Sequence, residues 1–280
     1  MMVNTRHLMC RADIFSDLGN ETPATWDEVF AAAETVKQAG VVDCAIGATI
    51  KSGWNLAQEF VNMYPGYGGK VFNADNTTAV NADAGMKAIE TMAKTLDYTD
   101  PRVRVSDSTY VRQQFQQGKI AMSNLWSSRG GAMDDPAESS GVGKVRMAAA
   151  PKAMADGAPA MTLWRDGIVI AANITDEEAD AAFRLAMEGL DKEVVKADNE
   201  AAIWLVKGYE PGPLAQSAIA TTTASPAAPA CPSTTQMGLL HTAHANVLPA
   251  FLTGDARGHR RGLHVTGGHH DRAVPVPAGI

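Results

Sequence analysis

At 280 residues, with 45 % hydrophobic and 20 % charged residues, the chain has the composition of a soluble globular protein large enough for two lobes. Its formal charge of −7 and the lack of a long basic stripe argue against a nucleic-acid partner. Cys10, Cys44 and Cys231 lie far apart without a CxxC pair, which argues against a cysteine zinc site or a disulfide framework, and no apolar run reaches the ~18 residues of a membrane span.

In chain order, the opening stretch "MMVNTRHLMCRADIF" lacks the charged-then-apolar pattern of a signal peptide. "TPATWDEVFAAAETVKQAG" predicts a helix: Thr25 and Glu28 form a capping box, apolar residues recur at helical spacing, and Gly40 is the stop. Residues 44–50 predict a buried strand, 55–64 a helix and 66–69 a glycine-rich turn. Helices are expected at 83–96 and 107–117, the second ended by Gly118, followed by the strand "KIAMSNLW" with Trp126 at its end. Residues 144–151 predict a strand, and 163–175 cross into a further one. Thr175 and Glu178 cap a helix with Ala179, Ala182, Phe183, Ala186, Met187 and Leu190 on one face. A shorter helix is expected around Ile203, Trp204 and Leu205, a loop over 221–234, and a last helix from Gln236, kinked near Pro249. Strands alternating with helices give an α/β protein.

After Gly254 the character changes. The tail holds four of the seven histidines and four arginines with no periodicity. His269, His270 and Asp271 offer a metal-site reading, set against an irregular tail or residues read out of frame. The second alternative is favoured, with no structural metal.

The usual catalytic and cofactor signatures are missing. "GVGKV" has neither P-loop spacing nor the hydroxyl after lysine, there is no HExxH or GxSxG, and "GYGG" is too short for a dinucleotide fingerprint. No cofactor is expected. The acid pairs Glu177/Glu178 and Asp134/Asp135 read as solvated. The tryptophans say more. Trp26 reads as a packing residue at its helix start and Trp204 as core or part-core. Trp54, Trp126 and Trp164 sit at element ends beside small or polar residues, where a ring either packs or stacks on the CH face of a sugar.

Three stretches together resemble the extracellular solute-binding proteins of ABC importers, the family that includes maltose-binding protein. These are "MVNTRHLMCRADIFSDLGNETPATWDEVFAAAETV", "FQQGKIAMSNLWSS", and "APKAMADGAPAMTLWRDGIVIAAN" with "DEEADAAFRLAMEGL" behind it. The resemblance covers roughly residues 1 to 254. It implies a two-lobe α/β fold of the periplasmic-binding-protein type, closing on a ligand at a hinge, with its first lobe incomplete. Residues 1–150 plus 205–254 are then expected to form the second lobe, 151–204 a remnant of the first with the hinge crossing, and 257–280 an irregular tail. It also implies a sugar or polyol ligand bound without catalysis, membrane permease subunits as partners, a periplasmic location and a monomer. A glycoside-active enzyme and a non-functional fragment stand as alternatives.

By the same resemblance Trp126 is a sugar platform, and Lys51, Ser52 and Trp54 contribute polar and aromatic contacts. The late segment before the last helix, around Gln236 and His241, also reaches the cleft. Trp164 flanks the cleft or packs the hinge, and Arg165 and Asp166 offer charged hydrogen bonds beside it.

Overall fold

The computed structural model describes residues 2–75, 77, 79, 82–199 and 202–252. The histidine-rich tail, including His269, His270 and Asp271, lies outside them. Strand β1 (Met2–Asn4) leads through Thr5 into β2 (Arg6–Arg11), and these two strands belong to different sheets. The larger sheet has the order β3-β4-β2-β5, with β3 (Cys44–Ile46), β4 (Ile120–Trp126) and β5 (Val145–Ala149). β2 pairs antiparallel with β4 and β5, and β3 pairs parallel with β4. The smaller sheet has β1 in the middle, flanked antiparallel by β6 (Trp164–Asp166) and β7 (Ile203–Trp204). Residues 2–4 and 164–166, expected on opposite sides of a lobe boundary, therefore share one sheet.

The β2 sequence explains why the larger sheet is covered on both sides. Side chains alternate across a strand. Leu8 and Cys10 enter the larger hydrophobic cluster with Val29, Phe60 and Tyr64, while Met9 enters a second with Val111 and Phe115. A strand buried on both faces needs a near-continuous apolar run, and "LMC" supplies it.

The helices follow their signals. After a short α1 (Ala12–Asp17), α2 (Trp26–Ala39) carries the expected capping box: Glu28 N–H donates to Thr25 Oγ1 at 3.3 Å and Thr25 N–H to Glu28 Oε2 at 3.1 Å. Trp26 is buried, as a packing residue should be. α3 (Trp54–Gly66), α4 (Ala82–Thr95) and α5 (Ser108–Gln116) match the predicted helices within a few residues. α6 (Asp176–Gly189) has the Thr175–Glu178 box, and α7 (Lys192–Ala197) follows, capped by Asp191. α8 (Pro213–Thr222) starts with proline in its first turn, and α9 (Gln236–Leu252) carries Pro249 inside it and packs on α3.

The differences have physical causes. Ile203 and Trp204 form a strand rather than a helix, because they pair with the open edge of β1. Trp204 is partly buried, its Nε1 donating to the Asp198 carbonyl at 3.2 Å. The 163–175 strand shrinks to Trp164–Asp166, the part opposite β1; beyond it Ile168, Val169 and Ile170 are exposed. The expected 221–234 loop begins only after α8 ends at Thr222.

Candidate solute-binding site

Three tryptophans and a histidine meet where the two sheets adjoin. Trp126 closes β4, Trp164 opens β6, Trp54 begins α3 and His241 lies on α9. The Trp164 ring stands edge-on to both others, 5.9 Å and 83° from Trp126 and 6.1 Å and 75° from Trp54. His241 lies 5.9 Å from Trp54. Each edge-to-face pair points positive ring edge at negative face, the favoured arrangement. Burial differs along the row: Trp126 is 9 % exposed and Trp54 47 %.

Local backbone places Trp54. Gly53 sits at φ +101°, a conformation that side-chain-bearing residues rarely adopt, and it turns the chain sharply into α3. The loop before it is tied down. Lys51 N–H donates to the Ser106 carbonyl at 2.9 Å, Ser52 N–H to the Arg104 carbonyl at 3.3 Å, and Lys51 Nζ pairs with Asp107 at 3.1 Å.

A buried polar network orients the other rings. Gln58 and Asn62 lie one turn apart on α3 and face Thr162. Gln58 Nε2 donates to Asn62 Oδ1 at 2.9 Å and Thr162 Oγ1 at 3.2 Å, while Thr162 donates from both N–H and hydroxyl to Asn62 Oδ1. Trp164 Nε1 donates to Thr162 Oγ1 at 3.0 Å, and His241 Nε2 lies 2.9 Å from Gln58 Oε1, which fixes Nε2 as the protonated nitrogen. Burial lowers the His241 pKa, keeping the ring neutral.

Beneath Trp126 lies Arg6, 1 % exposed, with its guanidinium carbon 5.1 Å from the Trp126 ring centroid. Arg6 Nη1 meets Glu59 Oε2 at 2.5 Å, and Nη2 donates to Thr49 Oγ1 at 2.7 Å. The Thr49 hydroxyl in turn donates to Glu59.

Of the nine positions singled out from the sequence, Trp54, Trp126, Trp164 and His241 come together, and Lys51 and Ser52 form the loop leading into Trp54. Arg165, Asp166 and Gln236 do not join them. Arg165 is exposed and, by strand alternation, on the face of β6 opposite Trp164. Asp166 lies at the far end of β6, opposite Met2. Gln236, exposed at the start of α9, accepts from Thr235 Oγ1 at 3.2 Å and stands five residues from His241, off its face of the helix.

Sequence reasoning missed the supporting residues. Arg6 carried a signal, a lone cation entering an apolar strand. So did Gln58 and Asn62, amides at i and i+4 among the apolar residues of α3. A separate cleft of about 400 Å³ between α7 and residues 206–210 is lined by none of the cluster's residues.

A family model described as "Bacterial extracellular solute-binding protein" matches residues 1–188. The chain belongs to that family. Among solved structures, this family member is similar to a solute-binding protein of an ABC transporter from Agrobacterium radiobacter K84 in complex with ribitol (TM-score 0.77, 20 % identity). The likeness covers 95 % of this chain and 68 % of that one. A similar protein from Agrobacterium vitis S4 with bound D-mannitol gives a TM-score of 0.72 at 20 % identity, covering 95 % and 70 % of the two chains. Maltose-bound MalE3 of T. maritima gives 0.77 at 20 % identity, with the same coverages. No curated protein matches the sequence. At this identity the likenesses establish the fold, the two-lobe α/β architecture of periplasmic binding proteins, of which this chain spans about two thirds in length. No described helix of this family member is long and apolar enough to cross a membrane.

Proposed function

We propose that this protein is the substrate-binding component of an ABC importer. It takes a sugar or polyol in an inter-lobe cleft, by aromatic stacking and hydrogen bonds and without turnover. The observation that carries this reading is the row of rings Trp126, Trp164 and Trp54, the middle one edge-on to both others, graded from buried to half-exposed. Perpendicular rings make a floor and a wall, and a small polyhydroxy ligand presents CH groups to such faces while its hydroxyls seek polar partners at the rim. Trp54 is the open platform, Trp126 the floor, and His241, Lys51 and Ser52 lie within its margin. The similarity to proteins holding ribitol, D-mannitol and maltose supports the same ligand class.

Binding without catalysis is favoured because Glu59, the carboxylate under the cluster, is already engaged by Arg6 and Thr49. In this reading the larger sheet with α2–α5, α8 and α9 is one lobe, the smaller sheet with α6 and α7 belongs to the other, and the crossing at Thr5 is part of the hinge. The protein works outside the cytoplasmic membrane as a monomer and delivers its solute to permease subunits.

Titration of intrinsic tryptophan fluorescence with ribitol, D-mannitol and maltose tests the proposal. A saturable change with at least one of them, with the sugar recovered unaltered by chromatography, is the expected result. No change with any, or release of a cleavage product from maltose, overturns it.

A further inference from the structure

Among the described residues, four arginines are not exposed: Arg6, Arg11, Arg112 and Arg129. Arg6 has Glu59 and Arg11 has Asp13. Arg112 and Arg129 make no ion pair among the described residues, although the charge of Asp107 reaches Arg129, and the Nε atoms of both are buried without a hydrogen-bond partner. Both side chains flank Ser108, Arg129 through a hydrogen bond and Arg112 from one helical turn away. Burial, and then the charge of Arg112, push the Arg129 pKa down.

Their surroundings are built from two elements. Ser108 and Arg112 stand one turn apart on α5. Arg129 comes from the 3-10 turn Ser127–Arg129 behind Trp126, and its Nη2 donates to Ser108 Oγ at 3.1 Å. That turn is tied to the sheet crossing, because Ser127 Oγ and Ser128 N–H reach Asn4 Oδ1 at 3.0 and 3.4 Å. The adjacent acid, Asp107, is already engaged: it accepts from Thr109 N–H, Tyr110 N–H and Lys51 Nζ at 3.0–3.1 Å.

An arginine stays charged at any working pH. Two half-buried guanidinium groups around one serine suffer desolvation and feel each other's charge, and one oxyanion relieves both. We propose that Arg112, Arg129 and Ser108 form an oxyanion site at the rim beside Trp126, taking a carboxylate or phosphate group. The forked donors of two guanidinium groups suit the spread oxygens of such an anion, and the serine hydroxyl adds a third donor. The oxyanion is either free in solution or the acidic group of a solute; only the second source rests on the sugar reading above.

Melting of the full chain in millimolar inorganic phosphate, against chloride at equal ionic strength, tests the site. At about ten times the dissociation constant the melting temperature should rise by roughly 2 °C or more. R112Q and R129Q should each abolish the rise while keeping the chloride melting temperature, since each removes an unpaired charge. Equal melting in phosphate and chloride, or a rise that survives in both variants, overturns the proposal. Should either variant fail to fold, binding of radiolabelled phosphate to Ser108→Ala and R129K decides in its place: affinity reduced several-fold supports the site, and unchanged affinity overturns it. Gluconate against sorbitol separates the sources. At least tenfold preference for gluconate, lost in R129Q, assigns the anion to the solute. Phosphate binding with equal gluconate and sorbitol affinities assigns it to a free ion, and leaves the sugar reading untouched.

Discussion

The Arg6 guanidinium lies 5.1 Å from the centre of the Trp126 ring and is held there by Glu59 and Thr49. Residues 6 and 126 are also directly opposite one another in the β2–β4 register. A buried cation with one carboxylate and one hydroxyl has little freedom, so the ring it supports has a fixed seat. A cation–π contact is stronger when desolvated, ~2 kcal/mol against 0.5–1 at the surface.

Removing Glu59 should therefore destabilise the fold. Glu59→Ala leaves a buried guanidinium without its counter-charge, a loss of about 3–5 kcal/mol. Denaturant titration at neutral pH measures it. Arg6→Lys, which keeps the charge and loses the fork, should cost less and shift the tryptophan emission; an unshifted spectrum would disconnect Arg6 from the seating of Trp126.

Trp54 and Trp126 should separate binding from stability. Trp54 is half-exposed, so Trp54→Ala should weaken solute binding by about 1–3 kcal/mol while moving stability by less than about 1 kcal/mol. Trp126 is buried, and Trp126→Ala should cost about 3–5 kcal/mol of stability as well as affinity. Calorimetric titration and melting of the two variants make the comparison.

Acid should weaken the fold through two histidines. Burial drives the His7 pKa down to about 3, against a backbone hydrogen bond at Ala148 that raises it. Burial and the nearby His241 bring His244 to about 4. An unfolded histidine takes its proton near pH 6.5, so as pH falls below that value the unfolded state binds protons the folded state refuses. Stability is full above about pH 6.5 and declines by up to about 1.4 kcal/mol per pH unit for each group, until His244 titrates near 4 and His7 near 3. Both ring nitrogens of His244 are buried without partners. His244→Leu should hold or raise stability at pH 7.5 and raise it further at pH 5. Equal effects at the two pH values would count against this account.

The segment after β6 and helix α6 should expose sticky apolar side chains. Val169 is 91 % exposed and Leu185 75 %, and Ile168, Phe183 and Met187 are also exposed. Apolar surface of this kind binds hydrophobic dyes and promotes association. Leu185→Glu together with Val169→Glu should reduce dye fluorescence and aggregation without lowering the melting temperature. A fall in melting temperature would mean these side chains already pack against something.

The sequence by itself determined the helices whose ends are written in local chemistry. Thr25 with Glu28, Thr175 with Glu178, and Gly40 act within one or two turns, so the capping boxes and the stop can be read without the rest of the chain. It also marked Trp54, Trp126 and Trp164 by their small and polar neighbours, and the order of its segments resembled the family to which the chain belongs. Tertiary structure decided what depends on pairing. Ile203 and Trp204 became a strand because β1 offered an edge, and Ile168 to Ile170 did not because no strand among the described residues pairs with them. Arg165 fell on the face of β6 opposite Trp164, by a register that only its partner strand sets. Arg6, Glu59, Gln58 and Asn62 gained their roles from neighbours tens of residues away, Glu59 at a separation of 53 and Asn62 at 100. A buried polar group is defined by the partner that satisfies it, and such partners are brought together only when the chain has folded.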